Sequence, residues 1–353
     1  MRILHVAAVD LLPNSGMGRI SCEWNAAFLR AGHEFQHIGL KEIGPSVHPL
    51  LFGLAARNFI NRNKIAFDLI LAHEPASGFL YFRNSPMVVF SHGIEERAWK
   101  IQGHFGFMKR SLKSRLVPEA IRFYSNTSGF RRCSVALLSN SDDLAFLADE
   151  KGIAKDKLRI FYNGYYPFDE VKGDNAAITF LYNATWIPRK GIDLMYTVFN
   201  KLLIKHDTIK LILAGTGASS GEVLSRFHEE VRGRINVISS FSPDQERRFY
   251  RDAQVFIMPS FFEGQSVALT QAMAMGLCPV VSDNCGQKDF VKHQHNGLQF
   301  KTGDAADMEK EIDWLLQNPD RIILMGKNAK ESVRHLTWER AASEVVLTCE
   351  SVF

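Results

Sequence analysis

Met258-Pro-Ser-Phe-Phe-Glu263-Gly-Gln-Ser-Val-Ala-Leu-Thr-Gln271-Ala-Met-Ala-Met-Gly276 is the stretch that decides the fold class. Val255-Phe-Ile-Met258 leads into it as an unbroken apolar run, the pattern of a strand buried on both faces, and Pro259 ends that strand. Residues 266–275 read as a helix whose N-terminus points at the strand ends, and 279–282 as the next strand. Strand, turn, helix and strand make one unit of a parallel sheet. Glu263 falls in the turn, with Gln271 about two helical turns further on. A carboxylate and an amide so placed can hydrogen-bond sugar and ribose hydroxyls. Glu263 also suits a plainer role, a favourable charge at a helix N-terminus.

The same alternation extends outward. In the second half, strands are expected at 178–184, 210–214, 236–239, 255–259 and 279–282, with helices at 192–205, 243–252, 266–275, 305–317 and 319–332. In the first half, strands are expected at 2–8, 34–39, 68–72, 87–91 and 134–139, with helices at 18–31, 108–124 and 141–151. The stretch 164–176, GYYPFDEVKGDNA, mixes Gly, Pro and charges between the two blocks and reads as a linker. A chain of 353 residues exceeds the size at which one core stops growing, so two domains are expected.

Three further turns follow expected strands. Asp10-Leu-Leu-Pro-Asn-Ser-Gly16-Met-Gly18-Arg19 would let backbone N–H groups approach a phosphate or sugar, through Gly16 and Gly18. It equally suits a tight strand-to-helix turn, and Ser21 breaks the full G-x-G-x-x-G pattern. Ala184-Thr-Trp-Ile-Pro-Arg189-Lys190-Gly191-Ile-Asp193 places two adjacent cations where a helix opens, a position that can neutralise a diphosphate. Its plainer reading is an exposed basic turn. Leu213-Ala-Gly215-Thr-Gly217 is a second glycine turn in the same domain. In open α/β sheets ligands bind at the carboxyl ends of strands, and all of these turns lie there.

Composition excludes several classes. A net charge of +4 is too small for a nucleic-acid binder, and no stretch reaches the ~20 apolar residues of a membrane span. Cys22, Cys133, Cys278, Cys285 and Cys349 are odd in number and scattered, so free thiols in a reducing cytoplasm are expected. The histidines show no ligand-like spacing near them, and no metal site is expected. Between His92 and Arg132, nine Lys/Arg stand against three Glu. Around Lys109, Arg110, Lys113 and Arg115, apolar residues recur at 108, 112, 116 and 117. That pattern suits a helix on an anionic membrane or acceptor, or an ordinary helix with solvated cations.

Taken in order, these pieces resemble the GT4 family of retaining glycosyltransferases with the GT-B fold, over nearly the whole chain. Ala31-Gly32-His33-Glu34-Phe35 resembles the family's "rGHeV", Ser91-His92-Gly93 its "HG", and Tyr162-Asn163-Gly164 its "pNG". Pro188 through Asp193 resembles "peKGid", Pro259 through Gly276 resembles "PSxxEGfGlxxlEAMAxG", and Asn284 through Asp289 the following "gGxxE". Leu336 through Arg340 resembles the start of a final helix that returns to the first domain.

The resemblance implies an α/β chain of two Rossmann-like domains facing each other across a cleft. The first spans 1–165 with 335–353 on the acceptor side, and the second spans 175–334 and holds the donor. It implies transfer of a sugar from a nucleotide diphospho-sugar to a glycan or lipid-linked acceptor, with retention and without a metal or other cofactor. Polysaccharide or envelope-glycan synthesis is the expected setting. By resemblance, Glu263 contacts donor-sugar hydroxyls, Gln271 the ribose, Lys190 the diphosphate, His92 the transferred sugar, and Gly16 and Gly18 the phosphates and acceptor. Gly215 and Gly217 join the donor side. Two departures from the pattern stand out: Gln271 replaces a Glu, and Thr185 stands where the family has Arg, with Arg189 beside Lys190 instead. They leave room for an inactive nucleotide-sugar-binding homologue, and a GT-B epimerase of UDP-sugars is the other alternative. A cytoplasmic protein, peripheral on the inner face of the membrane, is the expected location.

Overall fold

A computed structural model describes residues 1–12, 16–83, 85–106, 116–167 and 177–353. They form two units, Met1–Gly164 with Trp338–Phe353, and Tyr165–Thr337. Each is built on a six-stranded sheet in which every pair of neighbours runs parallel.

Unit 1 contains β1 (Arg2–Val6), β2 (Glu34–Ile38), β3 (Leu69–His73), β4 (Met87–Ser91), β5 (Val135–Leu138) and β6 (Leu158–Ile160), in the order β2-β1-β3-β4-β5-β6. The central strands β3 and β4 are buried at every position, as strands sandwiched between helix layers must be, and this explains their unbroken apolar runs. Strand order reverses between β1 and β3. The helix Gly16–Arg30 follows β1, and the final helix Trp338–Glu350 packs on it, with Trp338, Ala341, Val345 and Cys349 buried at helical spacing. His33 and Glu350 meet at 2.9 Å beside that contact.

Unit 2 contains β7 (Thr179–Asn183), β8 (Lys210–Ala214), β9 (Ile235–Ile238), β10 (Val255–Met258), β11 (Cys278–Ser282) and β12 (Leu298–Phe300), in the order β12-β11-β10-β7-β8-β9. This is the dinucleotide-type winding, with its switch point between β7 and β10. The chain enters and leaves unit 2 side by side: Tyr165 bridges Thr337, and its N–H donates to the Leu336 carbonyl at 2.9 Å.

The expected alternation is present in both units, with corrections. Two strands escaped the reading, β6 and β12; each is three residues long and hydrogen-bonded on one side only, so neither carries a long apolar run. The helices Phe52–Arg62 and Glu95–His104 were also missed. The helix expected at 108–124 is described only from Leu116 and runs on to Arg132. Residues 107–115, with Lys109, Arg110, Lys113 and Arg115, lie outside the described residues, as do 168–176 of the expected linker.

Candidate functional site

The site of unit 2 is assembled at the switch point. Lys190 follows β7 and Glu263 follows β10, the two strands that flank the reversal. A helix in a parallel sheet leaves from the carboxyl end of its strand, so adjacent strands that diverge to opposite faces open a crevice there. Lys190 Nζ and Glu263 Oε1 meet across it at 2.6 Å, with both side chains largely buried. Burial pushes the Glu263 carboxyl up, but the charges of Lys190 and Arg189 outweigh it and hold the group below its ordinary value. Glu263 is therefore ionised at neutral pH.

Local backbone chemistry brings these side chains together. Gly191 has φ 79°, and a Cβ on it would fall 2.2 Å from the Pro259 carbonyl oxygen. Only glycine allows that approach of the two loops. The Phe261 N–H donates to the Arg189 carbonyl at 2.9 Å, and the Arg189 guanidinium donates to the Phe262 carbonyl at 3.1 Å. Arg189 thus ties down the turn that carries Glu263 while adding positive charge beside it. Ser266 caps the helix Val267–Ala274, accepting from the Leu269 N–H at 3.2 Å. Gly215 and Gly217, both at φ 65°, form the loop after β8, and the Trp186 N–H donates to the Thr216 carbonyl at 2.8 Å. The loops after β7, β8 and β10 therefore lie together. A cavity of about 640 Å³ in the same unit opens at the opposite, amino ends of β7–β9, away from these residues.

Gln271 is placed differently from the expectation. It is buried, and it does not present its amide to the crevice. The Tyr166 N–H donates to Gln271 Oε1 at 3.0 Å, and Gln271 Nε2 donates to the Tyr166 carbonyl at 2.9 Å. The side chain clamps one peptide of the segment where the chain enters unit 2, and that task needs a donor and an acceptor together. A carboxylate can do only half of it. Gln271→Glu is therefore expected to be poorly tolerated. A loss of about 1–3 kcal/mol in urea unfolding at pH 7 follows from facing two acceptors with each other in a partly buried contact, and an unchanged midpoint would refute the clamp.

In unit 1, His92 stands one residue beyond β4. Its loop is pinned on both sides: the Ile94 N–H donates to Asp143 at 3.1 Å, and the Glu95 N–H to Glu74 at 3.1 Å. Burial lowers the His92 pKa to about 4, so the ring is neutral. It adjoins a row of three other histidines, His73, His5 and His37, linked nitrogen to nitrogen. The sequence reading missed these three. They are 32 to 68 residues apart along the chain, and their one signal is a histidine within an apolar strand or next to its end. Gly16 and Gly18 form the first turn of the helix Gly16–Arg30, which starts two residues earlier than expected.

Comparison with known proteins bears on the fold and on the broad class of activity. Residues 168–332 match the family described as Glycosyl transferases group 1. That match takes in nearly all of unit 2. The chain is 30% identical over 178 residues to a glycogen synthase of Desulfitobacterium hafniense, 47% of this chain and 37% of that protein. It is 24% identical over 249 residues to an uncharacterized glycosyltransferase of Methanocaldococcus jannaschii, 65% of this chain and 62% of that one. The chain thus spans between about a quarter and two thirds of the length of the curated relatives it matches. Among solved structures, sucrose-phosphate synthase from Thermosynechococcus elongatus superposes with a TM-score of 0.78 at 17% identity, covering 100% of this chain and 99% of that one. Anabaena HepE in complex with UDP superposes with a TM-score of 0.71 at 13% identity, covering 99% and 100%. The fold is GT-B, with two Rossmann-like domains.

The basic segment of unit 1 is less available than the sequence suggested. Arg97 is paired with Asp142 and with the buried Asp143, and Lys100 with Glu96 and Glu150. Phe130 is core. Among the described residues no helix is long and apolar enough to cross a membrane.

Proposed function

We propose that this protein is a GT4-type, metal-independent glycosyltransferase that moves a sugar from a nucleotide diphospho-sugar to a glycan or lipid-linked acceptor with retention. The observation that carries this is the buried Lys190–Glu263 ion pair at the switch point of unit 2. A buried pair of opposite charges is costly to build unless its members have partners of their own to serve. In this reading Lys190 and Arg189 turn to the diphosphate and Glu263 to the sugar hydroxyls, so that each charge keeps a partner when donor binds. Arg189 supplies the second cation in place of the family's Arg at the position of Thr185. HepE also matches in a complex with UDP-glucose, and a starch synthase catalytic domain in a complex with ADP, which supports a nucleotide donor here.

The reaction breaks the bond from the sugar's anomeric carbon to the diphosphate and forms one to the acceptor oxygen. The departing diphosphate takes the acceptor's proton. Its charge is met by fixed cations and backbone N–H groups, which need no rearrangement at the moment of reaction. On the acceptor side, unit 1 offers a cavity of about 680 Å³ lined by Leu11, Leu12, Leu40 and Pro45 with Lys41 and Glu42. A panel of UDP-, ADP- and GDP-sugars tests the reading by thermal shift, followed by NMR of the product's anomeric configuration. A matching donor at a hundredfold excess over Kd adds about 2.7 kcal/mol of stability. A panel with neither shift nor turnover sinks the proposal, and an inverted product sinks retention.

Peripheral membrane binding through the basic segment, on the inner face, belongs to the same proposal. Flotation with anionic vesicles at low salt is expected to carry the protein, and a variant lacking the charges of Lys109, Arg110, Lys113 and Arg115 is expected to stay behind, since each cation near such a surface adds about 1 kcal/mol. Equal flotation of both, or none of either, removes the membrane from the reading.

A further inference from the structure

Four histidines of unit 1 form one row across the sheet. His37 is on β2, His5 on β1, His73 on β3, and His92 just past β4, so the row follows strand order and crosses the switch point of this sheet. Ring centroids are 4.9, 4.8 and 4.8 Å apart, the spacing of neighbouring strands. The contacts are His37 Nδ1 to His5 Nδ1 at 2.8 Å, His5 Nε2 to His73 Nε2 at 3.1 Å, and His73 Nδ1 to His92 Nε2 at 3.1 Å. Each ring touches only its neighbours, so this is a chain and not a ligand set around a common centre. Trp24, Phe35 and Phe90 pack their edges and faces on the two middle rings, His5 and His73, which are buried.

The far end of the chain is anchored. His37 Nε2 lies 2.9 Å from the Val9 carbonyl oxygen, which has lone pairs only. Nε2 of His37 must therefore carry the hydrogen, and a neutral imidazole has one N–H and one bare nitrogen. His37 Nδ1 then accepts from His5 Nδ1–H, His5 Nε2 from His73 Nε2–H, and His73 Nδ1 from His92 Nε2–H. Every tautomer follows from that one carbonyl. Burial, joined at His5 and His73 by the neighbouring rings, lowers the pKa of all four and keeps the rings neutral. The anchor itself is built: Gly39 has ordinary backbone angles, yet a Cβ there would lie 2.6 Å from His37 Nε2, the Val9 oxygen and Asp10 Oδ1 alike.

We propose that His37, His5 and His73 are positioning residues that hold His92 in its Nε2–H tautomer, so that Nδ1 of His92 is a bare lone pair. Among the described residues Nδ1 of His92 has no hydrogen-bond partner. The group it meets must accordingly be a donor, such as a sugar hydroxyl, and not a phosphate or carbonyl oxygen. This deepens the reading of His92 as the ring beside the donor sugar and rests on it for the hydroxyl, but the tautomer stands without it.

Protein labelled with ¹⁵N-histidine reads the tautomers directly by long-range ¹H–¹⁵N correlation, with His92→Asn to assign the signals. Expected in the wild type are a protonated Nε2 and an unprotonated Nδ1 at His92, and the opposite pattern at His5. His37→Phe keeps a ring but removes the anchor, so His92 is expected to become a mixture and turnover to fall about tenfold, the worth of one misdirected hydrogen bond. His37→Gln, which can accept from His5 and donate to Val9, is expected to restore the nitrogen pattern and most of the turnover. Gly39→Ala, which pushes into the anchor from the side, is expected to repeat the phenylalanine result. A wild-type His92 with its hydrogen on Nδ1, or a His92 pattern unmoved in both His37→Phe and Gly39→Ala, overturns the proposal. Failure of the transferase reading appears elsewhere, as absent nucleotide-sugar binding with the nitrogen pattern intact.

Discussion

Glu263→Gln is expected to cost both turnover and stability, and Lys190→Ala likewise. In the ligand-free protein each substitution breaks a buried ion pair. Losing one partner of such a pair costs up to about 3–5 kcal/mol when the other is left uncompensated. The amide introduced by Glu263→Gln still accepts from Lys190, so the cost of that variant falls nearer the roughly 1–3 kcal/mol of a lost charge-assisted bond. The double variant Lys190→Met/Glu263→Gln is expected to be more stable than the sum of the two singles allows, because it leaves no charge alone. Transfer behaves differently. If Lys190 holds the diphosphate and Glu263 the sugar, each single loses roughly tenfold to a hundredfold in kcat/KM, and the double variant recovers none of it. Stability regained with activity still lost is the signature expected of a binding pair. Wild-type kcat/KM in either single variant would exclude that residue from the donor site. Arg189→Ala is expected to lose less, since the guanidinium also serves the Phe262 carbonyl and loosening that turn is a secondary route to the same loss.

The second large effect is acid destabilisation of unit 1. His92 is held at about 4 in the folded chain against an ordinary 6.5, by burial. His5 and His73 are lowered further in the same direction, by burial and by the charge of other histidines in the row, and His37 less so, by burial. Below pH 6.5 the unfolded chain takes up protons that the folded chain refuses, so stability is complete above that value and is lost as pH falls towards 4. His92 alone accounts for about 3 kcal/mol over this window. Thermal melts between pH 7.5 and 5 read mainly the histidines, because a carboxyl group of ordinary pKa, about 4, ionises below that range. A melting temperature that stays flat from about pH 7.5 to 5 would show that the row does not behave as buried neutral imidazole.

The sequence by itself determined the class of fold and the turns that matter. Apolar runs such as Val255–Met258 can only be strands covered on both faces, and helices between them force a parallel winding. Once the winding is parallel, the turns holding Lys190, Gly215, Gly217 and Glu263 must lie at one edge of one sheet, so much of the candidate site was legible from spacing alone. The tertiary structure decided the rest. It showed that strand order reverses between β7 and β10 and so joins Lys190 to Glu263, which lie 73 residues apart. It turned Gln271 to the Tyr166 peptide, a partner 105 residues away that no helical period could indicate. It paired Arg97 with Asp142 and Asp143, and Lys100 with Glu150 as well as with Glu96 of its own helix, and so offset their charge on the basic face. It also set His37, His5, His73 and His92 in a line. Local pattern fixes which way a side chain faces, because strands and helices have short periods. Strand order, and therefore which facing side chains become neighbours, is fixed by packing between distant segments, and a one-dimensional pattern carries no record of it.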